Sequence, residues 1–183
     1  MAFQFIPTAL DGVMIIAPRI HRDDRGFFLE FFKRGEFHGS GIDFCCVQTN
    51  HSHSVRGVLR GLHYQLPPHS QAKIVKCSHG EIFDVAVDIR KNSPHFGKWT
   101  ATRLSSLNHE MLFIPEGFAH GFLTVSERAD VIYIASSEYA PSAERGIRWD
   151  DQAIGIRWPG DILPQLSQKD RDLPLLQDAE VFP

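Results

Sequence analysis

The segment V-R-G-V-L-R-G-L-H-Y-Q-L-P-P-H-S-Q-A-K-I-V, Val55–Val75, reads as two extended stretches joined by a proline-rich turn. Its two extended stretches carry a histidine, arginines and a lysine beside glycines, which is not an ordinary hairpin composition. Arg60, His63 and Lys73 meet around one anionic, oxygen-rich ligand if Arg56–Gln65 pairs with Gln71–Cys77. Strict strand alternation would put Arg60 and His63 on opposite faces, so both reach one pocket only if Gly61 marks a bulge or twist.

Working outward, Glu81–Ile89 shows the clearest alternation: Phe83, Val85, Val87 and Ile89 share one face, and Ile82, Asp84, Ala86 and Asp88 the other. One face is expected in the core; the other carries carboxylates. Further strands are expected at Val13–Pro18, Phe27–Phe32, Asp43–Asn50, Gly57–Tyr64, Ala72–Cys77, Trp99–Leu104, Met111–Pro115, Gly121–Val125 and Val131–Ser136. Turns are signalled by His79-Gly80, Asn92-Ser93-Pro94 and Pro115-Glu116-Gly117. Short helices are expected near Lys33–His38 and Gln168–Asp172. So many short strands without helical alternation predict an all-β sandwich or jelly-roll barrel whose interior can hold a ligand.

The chain has 183 residues, 43% hydrophobic, enough for one domain spanning 1–183. A formal charge of −3 supplies no overall basic field, which argues against nucleic-acid or anionic-membrane partners. No basic-then-apolar leader or long apolar run is present, so a cytoplasmic location is expected. Cys45, Cys46 and Cys77 form neither a disulfide framework nor a paired metal motif and read as small core residues.

Ten histidines invite a metal reading. His51 and His53 form an H-x-H pair, but Ser52 and Ser54 give that stretch loop chemistry, and a site needs further ligands. His21, His38, His69, His79, His95 and His109 lie beside turn residues and read as solvated. His63 and His120 differ, since each sits among glycines and apolar residues. Pro115-Glu116-Gly117-Phe118-Ala119-His120 resembles the second motif of cupins, double-stranded jelly rolls. In metal-binding cupins the first motif resembles H-x-H followed by Glu, whereas this chain has His63-Tyr64-Gln65, so no metal site is expected.

A narrower resemblance covers nearly the whole chain in order. Asp23–Glu30, Val47–Asn50, Gly57–Gln65, Gln71–Lys73, Asp84–Arg90, Ile114–Phe122, Tyr133, the run Y-A-P-S-A-E-R-G-I-R-W-D-D from Tyr139, and Leu166–Asp170 resemble the dTDP-4-dehydrorhamnose 3,5-epimerase family. The resemblance implies a cupin jelly roll with a few short helices. It implies epimerisation at C3 and C5 of dTDP-4-dehydro-6-deoxy-D-glucose, giving dTDP-4-dehydro-L-rhamnose. The C4 ketone acidifies the neighbouring C–H bonds, so the chemistry needs a base, an enolate stabiliser and an acid, with no cofactor or metal. By resemblance His63 is the base, Asp170 its partner, Tyr133 the proton donor and Lys73 the enolate stabiliser. Arg60 matches a diphosphate contact. Arg25, Glu30, Gln48, Asn50, His120, Glu144 and Lys169 match nucleotide- and sugar-contacting positions, and Tyr139 an aromatic stacked on thymine. The family's homodimer places Arg25 and Glu30 in the neighbouring subunit's site.

Ile134 and Ser136-Ser137 depart from the basic residue and acidic–aromatic pair frequent in the family, close to Tyr133. The alternatives are a monofunctional 3- or 5-epimerase of a related nucleotide-linked 4-keto-deoxysugar, and a non-catalytic nucleotide-sugar-binding cupin. A metal-dependent cupin oxygenase would use His51, His53, His63 and His120.

Overall fold

A computed structural model describes residues Met1–Pro183. The strands are β1 (Phe3–Pro7), β2 (Met14–Pro18), β3 (Ile20–Asp23), β4 (Gly26–Leu29), β5 (Gln48–Val55), β6 (Leu59–Gln65), β7 (Lys73–His79), β8 (Glu81–Asp88), β9 (Trp99–Ser105), β10 (Met111–Ile114), β11 (Phe118–Thr124), β12 (Arg128–Ala135) and β13 (Glu144–Gly146). Two short helices, α1 (Arg34–Gly39) and α2 (Gln168–Arg171), interrupt them. The expected all-β jelly roll is present. A six-stranded sheet in the order β1-β2-β10-β7-β12-β5 faces a five-stranded sheet, β13-β6-β11-β8-β9, and β3 and β4 pair only with each other. No helix is long and apolar enough to cross a membrane.

The pairing of Arg56–Gln65 with Gln71–Cys77, on which their convergence was made conditional, does not form. β6 pairs with β11 and β13, whereas β7 pairs with β10 and β12 in the other sheet. The turn through Pro67-Pro68 therefore carries the chain across the sandwich, and the two halves of the opening segment become facing walls. Their charged residues still converge, but through the space between sheets.

Both faces of β8 are buried, which corrects the expectation of one core face. Ile82 and Ala86 join Val75, Leu112, Phe118, Phe122 and Val131 in the barrel interior. Val85, Val87 and Ile89 lie on the outer side under Ile147, Ile154 and Val181 of the C-terminal tail. Asp84 therefore projects into the barrel, not into solvent. Around the six-stranded sheet, Phe3, Phe37, Phe44, Ile74 and Phe113 form another apolar layer. Ile134 belongs to that outer layer and is buried, so its departure from the family pattern does not reach the barrel interior.

Three local expectations change. β5 begins at Gln48 and runs through His51 and His53, which are strand residues and not loop residues. Both imidazoles turn to Asp130 Oδ1, at 3.3 and 2.9 Å. His109, expected in solvent, is buried with φ +56°, and its carbonyl accepts from Lys76 Nζ at 2.8 Å. Cys45 and Cys46 are exposed, and only Cys77 is a core cysteine.

Gly61 is the bulge that the alternation argument required. His63 registers with His120 and Arg60 with Phe122, so Gly61 and Leu62 oppose Gly121 alone. Gly61 has φ +122°, and a Cβ there would lie 2.6 Å from Gly121 Cα and 2.7 Å from the His120 carbonyl oxygen. Gly61→Ala is expected to destabilise the fold by about 2–4 kcal/mol, through left-handed strain plus backbone displacement. Urea denaturation measures this directly; a loss under about 0.5 kcal/mol would show that the strands reregister cheaply.

Candidate active site

The interior opens into a cavity of 290 Å³ lined by Gln48, Asn50, His63, Tyr64, Gln65, Gln71, Lys73, Tyr133, Tyr139 and Glu144. Seven of these were expected from the sequence. Strand alternation explains the inward aim of Gln48 and Asn50 on β5, and of Lys73 on β7 and Tyr133 on β12. Register places Ala135 beside Lys73 and Val75 beside Tyr133, so the lysine and tyrosine occupy the same sheet, two positions apart. His63 comes from β6 in the opposite sheet.

His63 Nε2 lies 2.5 Å from Asp170 Oδ1, although 107 residues separate them. The partner is positioned by a helix start. Ser167 caps α2, accepting from the Asp170 backbone N–H at 3.1 Å and donating to Asp170 Oδ2 at 2.9 Å. Both carboxylate oxygens are thus engaged while Asp170 is only 4% exposed. Burial pushes the Asp170 carboxyl up, but the His63 hydrogen bond and charge, Ser167 and Lys169 outweigh it and hold it below its ordinary range. With Nε2–H directed at Asp170, the imidazole lone pair resides on Nδ1, available to a proton on a bound molecule.

Lys73 and Tyr133 supply the complementary groups. Burial lowers the Lys73 ammonium to about 8, against the opposing charges of Asp84 and Glu144. Burial raises the Tyr133 phenol, with the Arg60 charge acting in the other direction, so its hydroxyl keeps its proton through neutral pH. The Arg60 guanidinium donates to Ser54 Oγ at 3.1 Å and to the His53 carbonyl at 3.3 Å. It stands at the exposed rim, within electrostatic reach of Tyr133, and does not line the cavity.

The mouth is an ordered polar network. Glu144 accepts from Tyr139 Oη at 2.5 Å and pairs with Lys169 Nζ at 2.6 Å. Tyr139 N–H donates to Gln48 Oε1 at 2.8 Å, and Gln48 Nε2 donates to Asn50 Oδ1 at the same distance. The Tyr139 ring remains half-exposed, with a face available for stacking.

Other expected residues lie apart from the cavity wall. His120 is buried beside His63 in the β6–β11 register, with Nε2 2.8 Å from Asp84 Oδ1. Arg25 and Glu30 belong to the β3–β4 hairpin and the residue following it, and do not line this chain's own cavity. Arg25 is instead paired with Asp23 at 2.5 Å. The four histidines of the oxygenase alternative distribute over three carboxylates, Asp130, Asp170 and Asp84, and share no centre.

Sequence reading passed over Tyr64, Gln65 and Gln71. Gln65 ties three loop groups together, donating to the His69 and Glu138 carbonyls and accepting from Ala140 N–H. Gln71 holds the Ser137 carbonyl at 2.7 Å, and Ser136 Oγ accepts from Ala72 N–H. The Ser136-Ser137 departure therefore shapes the loop joining β12 to Tyr139 and leaves the Tyr133 hydroxyl unencumbered. The signal was present in Q-L-P-P-H-S-Q-A-K: polar amides flanking a proline turn have work to do in satisfying loop backbone.

A family model described as dTDP-4-dehydrorhamnose 3,5-epimerase matches residues 7–178. The chain is 51% identical over 177 residues to the dTDP-4-dehydrorhamnose 3,5-epimerase of Salmonella typhimurium, covering 95% of this chain and 96% of that one. It is 49% identical to the enzyme of the same name from Methanothermobacter thermautotrophicus, with 98% of each chain covered. Among solved structures, the dTDP-6-deoxy-D-glucose-3,5-epimerase of Legionella pneumophila in complex with dTDP-4-keto-L-rhamnose superposes with a TM-score of 0.92. That protein is 44% identical, with 96% of this chain and 94% of that chain covered.

Proposed function

The chain belongs to the dTDP-4-dehydrorhamnose 3,5-epimerase family, and from that membership we propose how its own residues invert dTDP-4-dehydro-6-deoxy-D-glucose at C3 and C5. The reaction yields dTDP-4-dehydro-L-rhamnose, and the chain is an isomerase. His63 Nδ1 removes the proton next to the C4 ketone, and Asp170 stabilises the imidazolium that results. As the C–H bond breaks, charge moves onto the C4 oxygen, where the Lys73 ammonium stabilises it more than it stabilised the neutral ketone. Tyr133 then delivers its phenolic proton to the opposite face of the planar carbon; exchange with solvent takes the proton from His63 and returns one to Tyr133, and the cycle then repeats at the second carbon.

One observation carries this reading: His63 and Tyr133 project into a single cavity from opposite sheets. An acid and a base on the same wall would return the proton to the face it left. On opposite walls they address opposite faces of the enolate, which is what inversion requires. Gln48, Asn50, Tyr139, Glu144 and Lys169 at the mouth suit the dTDP portion, with Arg60 at the rim for diphosphate and His120 supporting the sugar end. A passive nucleotide-sugar binder would have no use for a carboxylate-held histidine facing a protonated phenol.

The test is proton NMR of dTDP-4-keto-6-deoxyglucose with the protein in deuterated water. Loss of the C3 and C5 signals with new sugar couplings is the expected result. Exchange at one carbon alone would reassign the chain as a monofunctional epimerase, and none at either as a binder.

The working unit of this reading is a homodimer. Phe27 and Phe28 on the β3–β4 hairpin are 54% and 66% exposed, and β5 leaves one edge of the six-stranded sheet unpaired. Apolar rings on a protruding hairpin and a free sheet edge are both surfaces that a second copy would cover. Arg25 and Glu30 would then serve the partner's cavity. Phe28→Ser is expected to weaken dimerisation at least tenfold and raise KM at low protein concentration, read by sedimentation velocity and dilution assays. An unchanged dimer constant would remove the hairpin from the interface.

A further inference from the structure

Three buried side-chain oxygens lack a hydrogen-bond partner: Ser52 Oγ, Thr124 Oγ1 and Asp84 Oδ2. Only the last belongs to a charged group. Asp84 is fully buried on the inner face of β8, and its other oxygen is held by His120 Nε2 at 2.8 Å. A solitary carboxylate oxygen in a water-poor interior is unfavourable unless its charge is compensated nearby. The Asp84 charge reaches Lys73, where it opposes the burial that lowers the ammonium to about 8. Glu144 acts on Lys73 in the same direction, but its oxygens are already engaged by Lys169 and Tyr139.

We propose that Asp84 is a positioning residue of the epimerase site, keeping Lys73 cationic while fixing the orientation of the His120 ring. The inference rests on the assignment of Lys73 as enolate stabiliser. A counter-charge bonded directly to the ammonium would occupy the donors that the substrate oxygen needs. Because Asp84 is bonded to His120 instead, it sustains the positive charge and leaves the Lys73 donors for the C4 oxygen. His120, with Nε2 directed at Asp84, is held in one ring orientation beside His63.

The titratable groups that share the cavity with Lys73 are His63 and Tyr64 from β6, Tyr133 from β12, Tyr139 and, from β13, Glu144; Asp84 from β8 also acts on it and is itself held by His120 from β11. Removing the Asp84 charge makes the ammonium easier to deprotonate, so Lys73 loses its proton at lower pH. Asp84→Asn preserves size and can still accept from His120. The expected result is an alkaline limb of kcat/KM displaced downward by about one pH unit from its wild-type position near 8. Activity then falls roughly fivefold at pH 8 and hardly at pH 6, with KM little changed. A purely structural role would lower activity at every pH without moving the limb.

The decisive experiment pairs this profile with an activity-independent one, the titration of Lys73 followed by its Cε carbon NMR shift in the ligand-free protein, wild type and Asp84→Asn. A downward move in both supports the proposal. An unmoved Lys73 midpoint overturns it while leaving the epimerase reading intact. A moved midpoint with an unmoved kinetic limb overturns it too, and locates the failure in the assignment of Lys73.

Discussion

With His63 replaced by alanine, turnover is expected to fall by roughly 10³-fold or more, with exchange at C3 and C5 lost together and dTDP affinity within about threefold of wild type. The asymmetry follows from the layout. The mouth network of Gln48, Tyr139, Glu144 and Lys169 makes no hydrogen bond to His63, so binding survives the loss of the base. Deuterium exchange at each carbon by proton NMR, alongside calorimetric titration with dTDP, checks both halves. Turnover within tenfold of wild type would remove His63 from the chemistry. The variant also changes the acid limb of stability. In the wild type the Asp170 carboxyl is depressed, so it stabilises the fold above its unfolded value near 3.9 and loses that contribution as pH falls through the folded one. Without His63 the opposing effect of burial prevails, and the variant's stability deficit should be larger at pH 7 than at pH 4.

Tyr133→Phe is expected to separate two events that normally occur together. Proton removal by His63 and charge stabilisation by Lys73 remain, so deuterium still enters from the His63 side. Delivery to the opposite face is lost, and inversion should slow by about 10²–10³-fold while exchange slows far less. Because burial raises the phenol, the wild-type donor is not expected to limit activity until well into the alkaline range. The ratio of deuterium incorporation to newly coupled product, measured in one NMR time course, decides the matter. If inversion and exchange decline in parallel, the opposite-wall assignment is wrong.

What the sequence made legible, and what it did not, divides along a physical line. Alternation in E-I-F-D-V-A-V-D marked β8, and short apolar runs punctuated by turns marked most of the barrel, because those signals are local. The partner of a strand is not a local property. The proline turn after Gln65 looks alike whether it closes a hairpin or crosses a sandwich, which is why the sequence left the pairing of its two flanks as a condition. β13 is three residues long, Glu144–Gly146, with no hydrophobic period to detect. β8 appeared one-sided because Asp84 and Asp88 make its other face read as solvated, although that face lines the barrel interior. Of the site, the irregularity at Gly61 was anticipated, because Arg60 and His63 stand at a spacing that alternation puts on opposite faces; the bulge forms, yet Arg60 ends at the rim and only His63 lines the cavity. The His63–Asp170 contact was not deducible from spacing and rested on family resemblance alone. Asp84 was placed by alternation on the face opposite the expected core, and that face proves to be the barrel interior, which only the second sheet reveals.

The span of that His63–Asp170 contact has a consequence for how the enzyme comes into being. Lys73, Asp84, His120 and Tyr133 have all been synthesised by the time the chain reaches Tyr133, whereas Asp170 arrives 37 positions later. The tail bearing it lies over the outer side of the barrel and returns its carboxylate to a histidine made more than a hundred residues earlier. A chain lacking the α2 segment therefore keeps His63, Lys73 and Tyr133 but loses the carboxylate that holds His63. Under the proposed roles, activity is expected only once the segment bearing Asp170 is made and docked, so it reports that tail as well as the barrel.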